Sequence, residues 1–262
     1  MTVDRRARLG LRAVVLAYLT VLLLVPVGLV FYRTFEHGLA PVWESITTPA
    51  AVHAFWLTIE IALIAVPLNT IFGVIAALAL VRGRFGGKAV VDALISLPFA
   101  LSPVVIGLAL LLVYGRGGWV SLPFQVIFSL PGMVLATVFV SLPFVAREVV
   151  PVLREIGDEQ EQAAATLGAS RWQAFWRITL PAIRWGVAYG VVLTTARAIG
   201  EFGAVSIVSG RIAGQTQTLT LLVEQRFQNF DLAGAYAASA LLGLIAIATL
   251  LAMTLIKPRK DT

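Results

Sequence analysis

The chain has 262 residues, 59% hydrophobic and 13% charged, with no cysteine and a formal net charge of +6; its mean hydropathy is +0.90. A soluble domain is typically about 45–50% apolar and about 25% charged, so this composition excludes a water-soluble enzyme, a secreted disulfide scaffold and a disordered chain, and leaves the polytopic membrane class. Without cysteine there is no disulfide, thiolate metal site or thiol catalysis. The two histidines, His37 and His53, are too few for a histidine-rich metal site and read as loop or interfacial residues. No basic cluster is interleaved with aromatics, which argues against nucleic acid.

A membrane-crossing helix needs about 20 mostly apolar residues. In chain order, Ala13 to Tyr32 is uncharged over 20 residues. Arg5, Arg6, Arg8 and Arg12 precede it, as in a signal peptide, but Phe31, Tyr32 and Arg33 follow where small residues would mark cleavage. It therefore reads as a retained helix. Ile61 to Val81 gives 21 uncharged residues, with a possible start near Phe55, and Ala93 to Gly115 gives 23. Gly117 to Ala146 is uncharged over 30 residues, too long for one span. Its first part, with Pro123, reads as loop or partial re-entry, and its helix as about Ser129 to Ala146. A fifth span starts at Trp185 to Ala196 and must absorb Arg197 and Glu201. Leu232 to Ile256, 25 residues, is the sixth. The expectation is an all-α membrane protein of six helices in a single domain, residues 1–262. Pro67, Pro98, Pro103 and Pro131 are positioned to kink spans. Asn69 is expected to bond a neighbouring helix, Glu60 and Asp92 to be interfacial, and Gly186 and Gly190 to form a small-residue packing face.

Lysine and arginine counts set orientation. With the N-terminus inside, fifteen fall on the cytoplasmic side and four (Arg33, Arg116, Arg211 and Arg226) outside, while Arg197 lies within a span. Both termini are therefore expected in the cytoplasm.

The longest cytoplasmic connection runs from about 147 to 184. Asp158 followed by Glu161 has the spacing of a capping box, the alanines at 163–165 favour helix with little bulk, and Gly168 is a natural stop. A second helical piece carries Trp172, Phe175 and Trp176 towards Pro181, with its aromatics at the membrane interface. On these residues alone the segment is either a docking knob or an amphipathic connector.

Ala163-Ala164, Gly168, Ile178, Leu180 and Pro181, at these offsets, resemble the EAA loop of bacterial and archaeal ABC importer permeases. Arg184-Trp185, Tyr189 to Thr194, Ala196 to Gly210 and Leu142 to Glu148 resemble sulfate/thiosulfate ABC importer permeases of the CysW type, from about Leu57 onward. Molybdate/tungstate permeases share the EAA loop and the Gly-Glu-Phe-Gly pattern at 200–203. The resemblance implies a type I ABC importer permease fold in the inner membrane of a prokaryote. It also implies a short coupling helix, with Glu161, Gln162, Ala163, Ala164, Leu167 and Gly168, inserted into a groove on an ATPase subunit. Gln162 stands where the pattern usually has Glu, and Glu161 lies about 100° away around the helix. The implied partners are a homologous CysT-like permease, two CysA-like ATPase subunits holding ATP and Mg, and an extracytoplasmic sulfate-binding protein. This chain itself would carry no cofactor and no catalytic residue.

A charge at the bilayer centre costs about 2.5–3.5 kcal/mol on insertion scales. Arg197 and Glu201 are four apart on one helical face. They read either as a structural pair or as part of an anion pathway in which Arg197 supplies positive potential and Ser206, Ser209 and the run Gln215 to Thr218 supply donors. That polar run reads equally as solvated loop. The chain has no Gly-x4-Gly-Lys-[Ser/Thr] loop, so it does not bind ATP in the P-loop manner. The alternative of another class is a secondary anion transporter working without ATPase, which calls for more intramembrane carboxylates or broken-helix repeats and needs no docking loop.

Overall fold

The computed structural model describes residues 5–36 and 38–256, all helix, turn or irregular chain with no strand among them. His37 and the terminal Lys257, Arg259 and Lys260 lie outside the described residues. The first span is α1 (Arg5–Leu19), a π-helical turn at Thr20–Leu24, and α2 (Val25–Phe35). It is continuous from Gly10 to Phe35, and most of its apolar side chains stay exposed, as suits a helix facing lipid or another subunit, while Thr34 is buried and donates to Tyr236 O at 3.0 Å.

A short helix, α3 (Leu39–Ile46), leads into α4 (Pro49–Arg82), 34 residues long. Thr48 caps α4, its hydroxyl accepting from Ala51 N at 3.3 Å, with Pro49 at the first helical position, where its missing N–H costs nothing. This helix starts well before the apolar stretch at Ile61, because the cap and proline set its origin. His53 sits within it, not in a loop.

The third span is not straight. α5 (Lys88–Ala100) and α6 (Pro103–Tyr114) meet at an angle of 109°. Leu101 and Ser102 are extended at the break, the conformation that a following proline imposes on the residue before it. Among the described residues, five helices are long and apolar enough to cross a membrane, and six if the broken α5–α6 pair counts as one span.

An irregular segment follows, then α7 (Leu130–Ser141) and α8 (Pro143–Glu155) form one span from Leu130 to Glu155. α9 (Glu159–Thr166) stands alone. α10 (Arg171–Ala174), a π-helical turn at Phe175–Thr179 and α11 (Leu180–Ile199) run as a single helix from Arg171 to Ile199. The fifth span therefore begins at Arg171, not Trp185, and the aromatic piece is its first part. Within 147–184, only residues 156–170 leave the two long helices, and α9 is the one helix among them. α12 (Gly203–Val208), α13 (Leu219–Gln228) and α14 (Leu232–Ile256) complete the fold.

The two largest apolar clusters among the described residues stack along α4. One joins Leu57 and Ile61 to Ile106, Met133, Val205 and Leu221. The other, towards the α9 end, joins Val74 and Leu80 to Val145, Val149, Leu153 and Ile183. Between them Asn69, fully buried, donates to Val138 O at 3.1 Å and Ser141 Oγ at 2.8 Å, so it does bind α4 to α7. Val145 is wedged between Gly73 of α4 and Gly190 of α11. A Cβ at Gly73 would stand 2.6 Å from Val145 Cβ, and one at Gly190 2.8 Å from Val145 Cα. Only glycine lets three helix backbones meet this closely.

At the end remote from α9, the Arg226 side chain, 12% exposed, gathers three elements. It donates to Ser45 Oγ at 2.7 Å, Ser45 O at 2.9 Å, Gly234 O at 3.0 Å and Thr48 Oγ1 at 3.2 Å. Burial pulls its pKa below the ordinary arginine value, opposed by Asp231.

Candidate functional site

α9 is short, polar and outside both apolar clusters. Asp158 occupies its N-cap, but its side chain makes no capping bond. The capping box expected from Asp158 and Glu161 does not form, because the Glu161 carboxylate turns inward. It accepts from Arg82 Nε at 3.1 Å, from Arg82 Nη2 at 3.4 Å and from Thr179 Oγ1 at 2.9 Å. A capping box forms instead at Ser170 and Gln173, opening the long fifth helix.

The C-terminus of α9 closes as the glycine suggested. Gly168 has φ +85°. Its N–H donates to Ala165 O and that of Ala169 to Ala164 O, both at 3.0 Å. This pair of bonds is a Schellman motif, which needs a left-handed residue. Gln162, Ala163, Leu167 and Gly168 are exposed, Ala164 is half-buried, and Leu167 stands 89% exposed at the tip. A small, alanine-rich surface with one protruding leucine suits insertion into a complementary groove.

Arg82, the last residue of α4, is the residue that sequence reasoning missed; it counted only as a topology charge. Besides Glu161, its guanidinium donates to Leu153 O at 3.3 Å and to Gly157 O. One arginine thus joins the ends of α4 and α8 to α9. The available signal is an arginine closing a long apolar span, with several acidic residues in the loop that follows α8.

The second group lies where α11 ends. Arg197 Nη1 is 2.6 Å from Glu201 Oε2, so the two charges do pair. The Glu201 side chain is 1% exposed and that of Arg197 29%. Glu201 Oε1 accepts from Ala204 N at 2.9 Å, tying the carboxylate to the start of α12. Oε2 receives no well-directed hydrogen bond, so the arginine charge is what compensates it. Glu201 O accepts from Thr220 Oγ1 at 2.9 Å, and Leu219 N donates to Thr58 Oγ1 at 2.9 Å, which links this corner to α13 and α4.

Ser206 lies on α12 and Ser209 at its end, and both are buried. Ser206 Oγ donates to Gly203 O at 2.8 Å, and Ser209 Oγ accepts from Arg211 N at 3.2 Å. Thr216, Gln217 and Thr218 are buried too, with Gln215 exposed. Gln217 Nε2 donates to Gln225 Oε1 at 2.6 Å, and Thr216 Oγ1 accepts from Ile212 N at 3.2 Å. This run packs the α12–α13 connection; of its four residues only Gln215 faces outward. The structure pairs Arg197 with Glu201 where α11 ends, while the Ser206 and Ser209 hydroxyls bond to Gly203 O and Arg211 N and not to that pair.

Residues 69–262 match the family model described as the binding-protein-dependent transport system inner membrane component. The sulfate transport system permease protein CysW of Synechocystis sp. is 50% identical over 252 residues, covering 94% of this chain and 91% of that protein. The sulfate transport system permease protein CysT of Synechococcus elongatus is 41% identical over 238 residues, covering 89% of this chain and 86% of that protein. Among solved structures, a bacterial ABC transporter involved in importing the acidic polysaccharide alginate superposes with a TM-score of 0.78, covering 98% of each chain at 16% identity, a likeness of fold. Taken with the helical spans, these matches establish a multi-pass membrane protein, and the chain belongs to the binding-protein-dependent transport system inner membrane component family.

Proposed function

We infer that this chain is a permease subunit of an ATP-driven sulfate importer, forming half of a transmembrane anion path. The observation that carries this reading is half identity to a sulfate permease over nearly the whole chain. The α9 end is assigned to the cytoplasm, where the lysines and arginines concentrate. A CysT-like permease supplies the other half of the path, two CysA-like ATPase subunits hold ATP and Mg, and an extracytoplasmic protein delivers sulfate. Thiosulfate, of equal charge and similar shape, belongs to the same substrate class.

The coupling step falls to Glu161, Gln162, Ala163, Ala164, Leu167 and Gly168 on α9. The exposed side seats in the ATPase groove, and the inward side is tied to the membrane helices. When the ATPase subunits close on ATP, α9 is displaced, the permease pair opens outward, and hydrolysis restores the inward-open state. Arg197 and Glu201 form a neutral pair that holds the α11–α12 corner, with the more exposed arginine biasing the adjacent path towards anions.

The experiment is reconstitution of the complex in vesicles with radiolabelled sulfate. Uptake requires ATP, the ATPase and the binding protein together. Uptake by this chain without an ATPase overturns the reading and favours a secondary transporter. Competition by molybdate in excess of sulfate and thiosulfate reassigns the substrate.

A further inference from the structure

We propose that Arg82 is a positioning residue that latches the coupling helix to the long helix α4, so that movement of α9 reaches the opposite side of the membrane. The proposal rests on the reading of α9 as the ATPase-docking helix and adds the element that carries its displacement.

The geometry is specific to arginine. Nε and Nη2 engage both oxygens of Glu161, Nη1 reaches Leu153 O, and Nη2 also reaches Gly157 O. A planar fork makes these contacts at fixed angles, whereas a lysine ammonium is a point charge that does not reproduce them. Both side chains of the pair are about three-quarters shielded, at 22% and 25% exposure. Water therefore competes less than at an open surface. Thr179 Oγ1 closes the network from the root of the fifth helix. The inward face of α9 is thus joined by side chains to α4, α8 and the helix leading into α11. Gln162, one position on, is exposed and plays no part, so the latch is independent of the residue at that position.

The far end of α4 is fixed as firmly. Thr48 and Ser45 are held by Arg226, and Thr58 accepts from Leu219 N. With 34 residues in α4, the helix reaches about 50 Å at 1.5 Å per residue. A push on α9 is therefore delivered through Arg82 to α13, and from there through Thr220 to Glu201 and the α11–α12 corner. Breaking the latch leaves α9 able to dock and leaves the membrane core packed, but the two move independently.

The test uses the complete transporter in vesicles and reads sulfate imported per ATP hydrolysed. The chain has no native cysteine, so a single Ala165→Cys reports docking by cross-linking to a cysteine placed in the ATPase groove. Arg82→Gln is expected to lower the transport-to-hydrolysis ratio by about tenfold, the scale of losing hydrogen bonds to a charged group, with the cross-link retained. Arg82→Lys is expected to lose nearly as much. Thr179→Val, close in shape and removing one bond, shifts the ratio in the same direction by about threefold and decides the matter if the arginine variants do not assemble. Arg84→Gln, an exposed neighbour, is expected to leave the ratio unchanged. A normal ratio in both Arg82→Gln and Thr179→Val, or less complex with a normal ratio, overturns the latch. Absence of the cross-link in the Ala165→Cys complex, with Arg82 and Thr179 unaltered, overturns the docking reading instead.

Discussion

Replacing Gly168 separates conformation from charge at the tip of α9. Its φ of +85° belongs to the left-handed region, but a Cβ there meets nothing within 4 Å. Any cost to the free chain is therefore conformational rather than steric. For Gly168→Ala it is about 1–2 kcal/mol, enough to fray the last turn by a factor of about 5–30. Gly168→Asn costs less, since asparagine tolerates this region. Gly168→Asp adds a carboxylate beside the last carbonyls of the helix, a further 0.3–1 kcal/mol or so. All of these costs fall on an exposed turn outside both apolar clusters, so the melting temperature of the purified chain should hardly move. Docking magnifies the difference, because a carboxylate carried into a protein groove without a partner costs about 2–5 kcal/mol. The expected order of sulfate-stimulated ATPase is wild type, then Asn, then Ala, with Asp lowest by about thirtyfold or more, at 1.36 kcal/mol per tenfold. Normal uptake by Gly168→Asp would make α9 a passive connector. An Asn variant as inactive as Asp would show that charge is not the cause.

Two further outcomes follow from the packing. Gly73→Ala and Gly190→Ala each drive a methyl onto Val145 at 2.6–2.8 Å, so each should destabilise by about 1–3 kcal/mol, read as a lower melting temperature in detergent; Val145→Ala should rescue neither fully, because although it removes the Cγ1 contact at Gly73, close contacts remain with Val145 Cβ and Ala146 N at Gly73 and with Val145 Cα at Gly190. Arg197→Gln strands the buried Glu201 carboxylate and should reduce assembly of the complex, and Arg197→Gln/Glu201→Gln should restore it. A double variant that assembles but imports no sulfate gives Arg197 a place in the anion path, and one that imports normally makes the pair structural.

Hydropathy made most of the spans legible, because the bilayer demands a length of apolar residues whatever the sequence does elsewhere. Where the sequence erred, the cause was a non-local contact or a proline. Pro103 is a kink signal, and the break falls there; a proline does not state the size of the turn, 109°, and α6 also lies against α12, where a Cβ on Gly107 would come within 2.7 Å of Ala204 O. The start of the fifth helix was hidden because polar and aromatic residues before Trp185 lower its hydropathy without ending the helix. The Ser170–Gln173 capping box, legible in principle, marks the true start.

The corner of Arg197 and Glu201 was half legible. The spacing of four suggests the ion pair, and the pair is there, but α11 ends at Ile199 and Glu201 lies past it, not on the same helical face. What spacing does not contain is that the carboxylate also receives the α12 backbone, or that Ser206 and Ser209 turn their hydroxyls to nearby backbone groups. Polar residue types near an intramembrane charge suggest a path for an anion, yet each buried hydroxyl must find a partner, and a local carbonyl or N–H is the nearest one available.

The same logic separates the two sides of α9. Its outward side is set by residues within ten positions of one another: alanines, a protruding Leu167 and the Gly168 stop. Its inward side is set by Arg82, 79 residues earlier than Glu161. Asp158 and Glu161 have the spacing of a cap, but a guanidinium offers a carboxylate stronger, charge-assisted bonds than a backbone N–H does. The carboxylate therefore leaves the helix end for the arginine, and a local signal for helix initiation becomes a tether between the loop and the membrane helices. A docking helix that was only capped would be free to swing on its two connecting segments. One held by Arg82 and Thr179 is tied to α4 and the fifth helix, which is the geometry that the proposed lever requires.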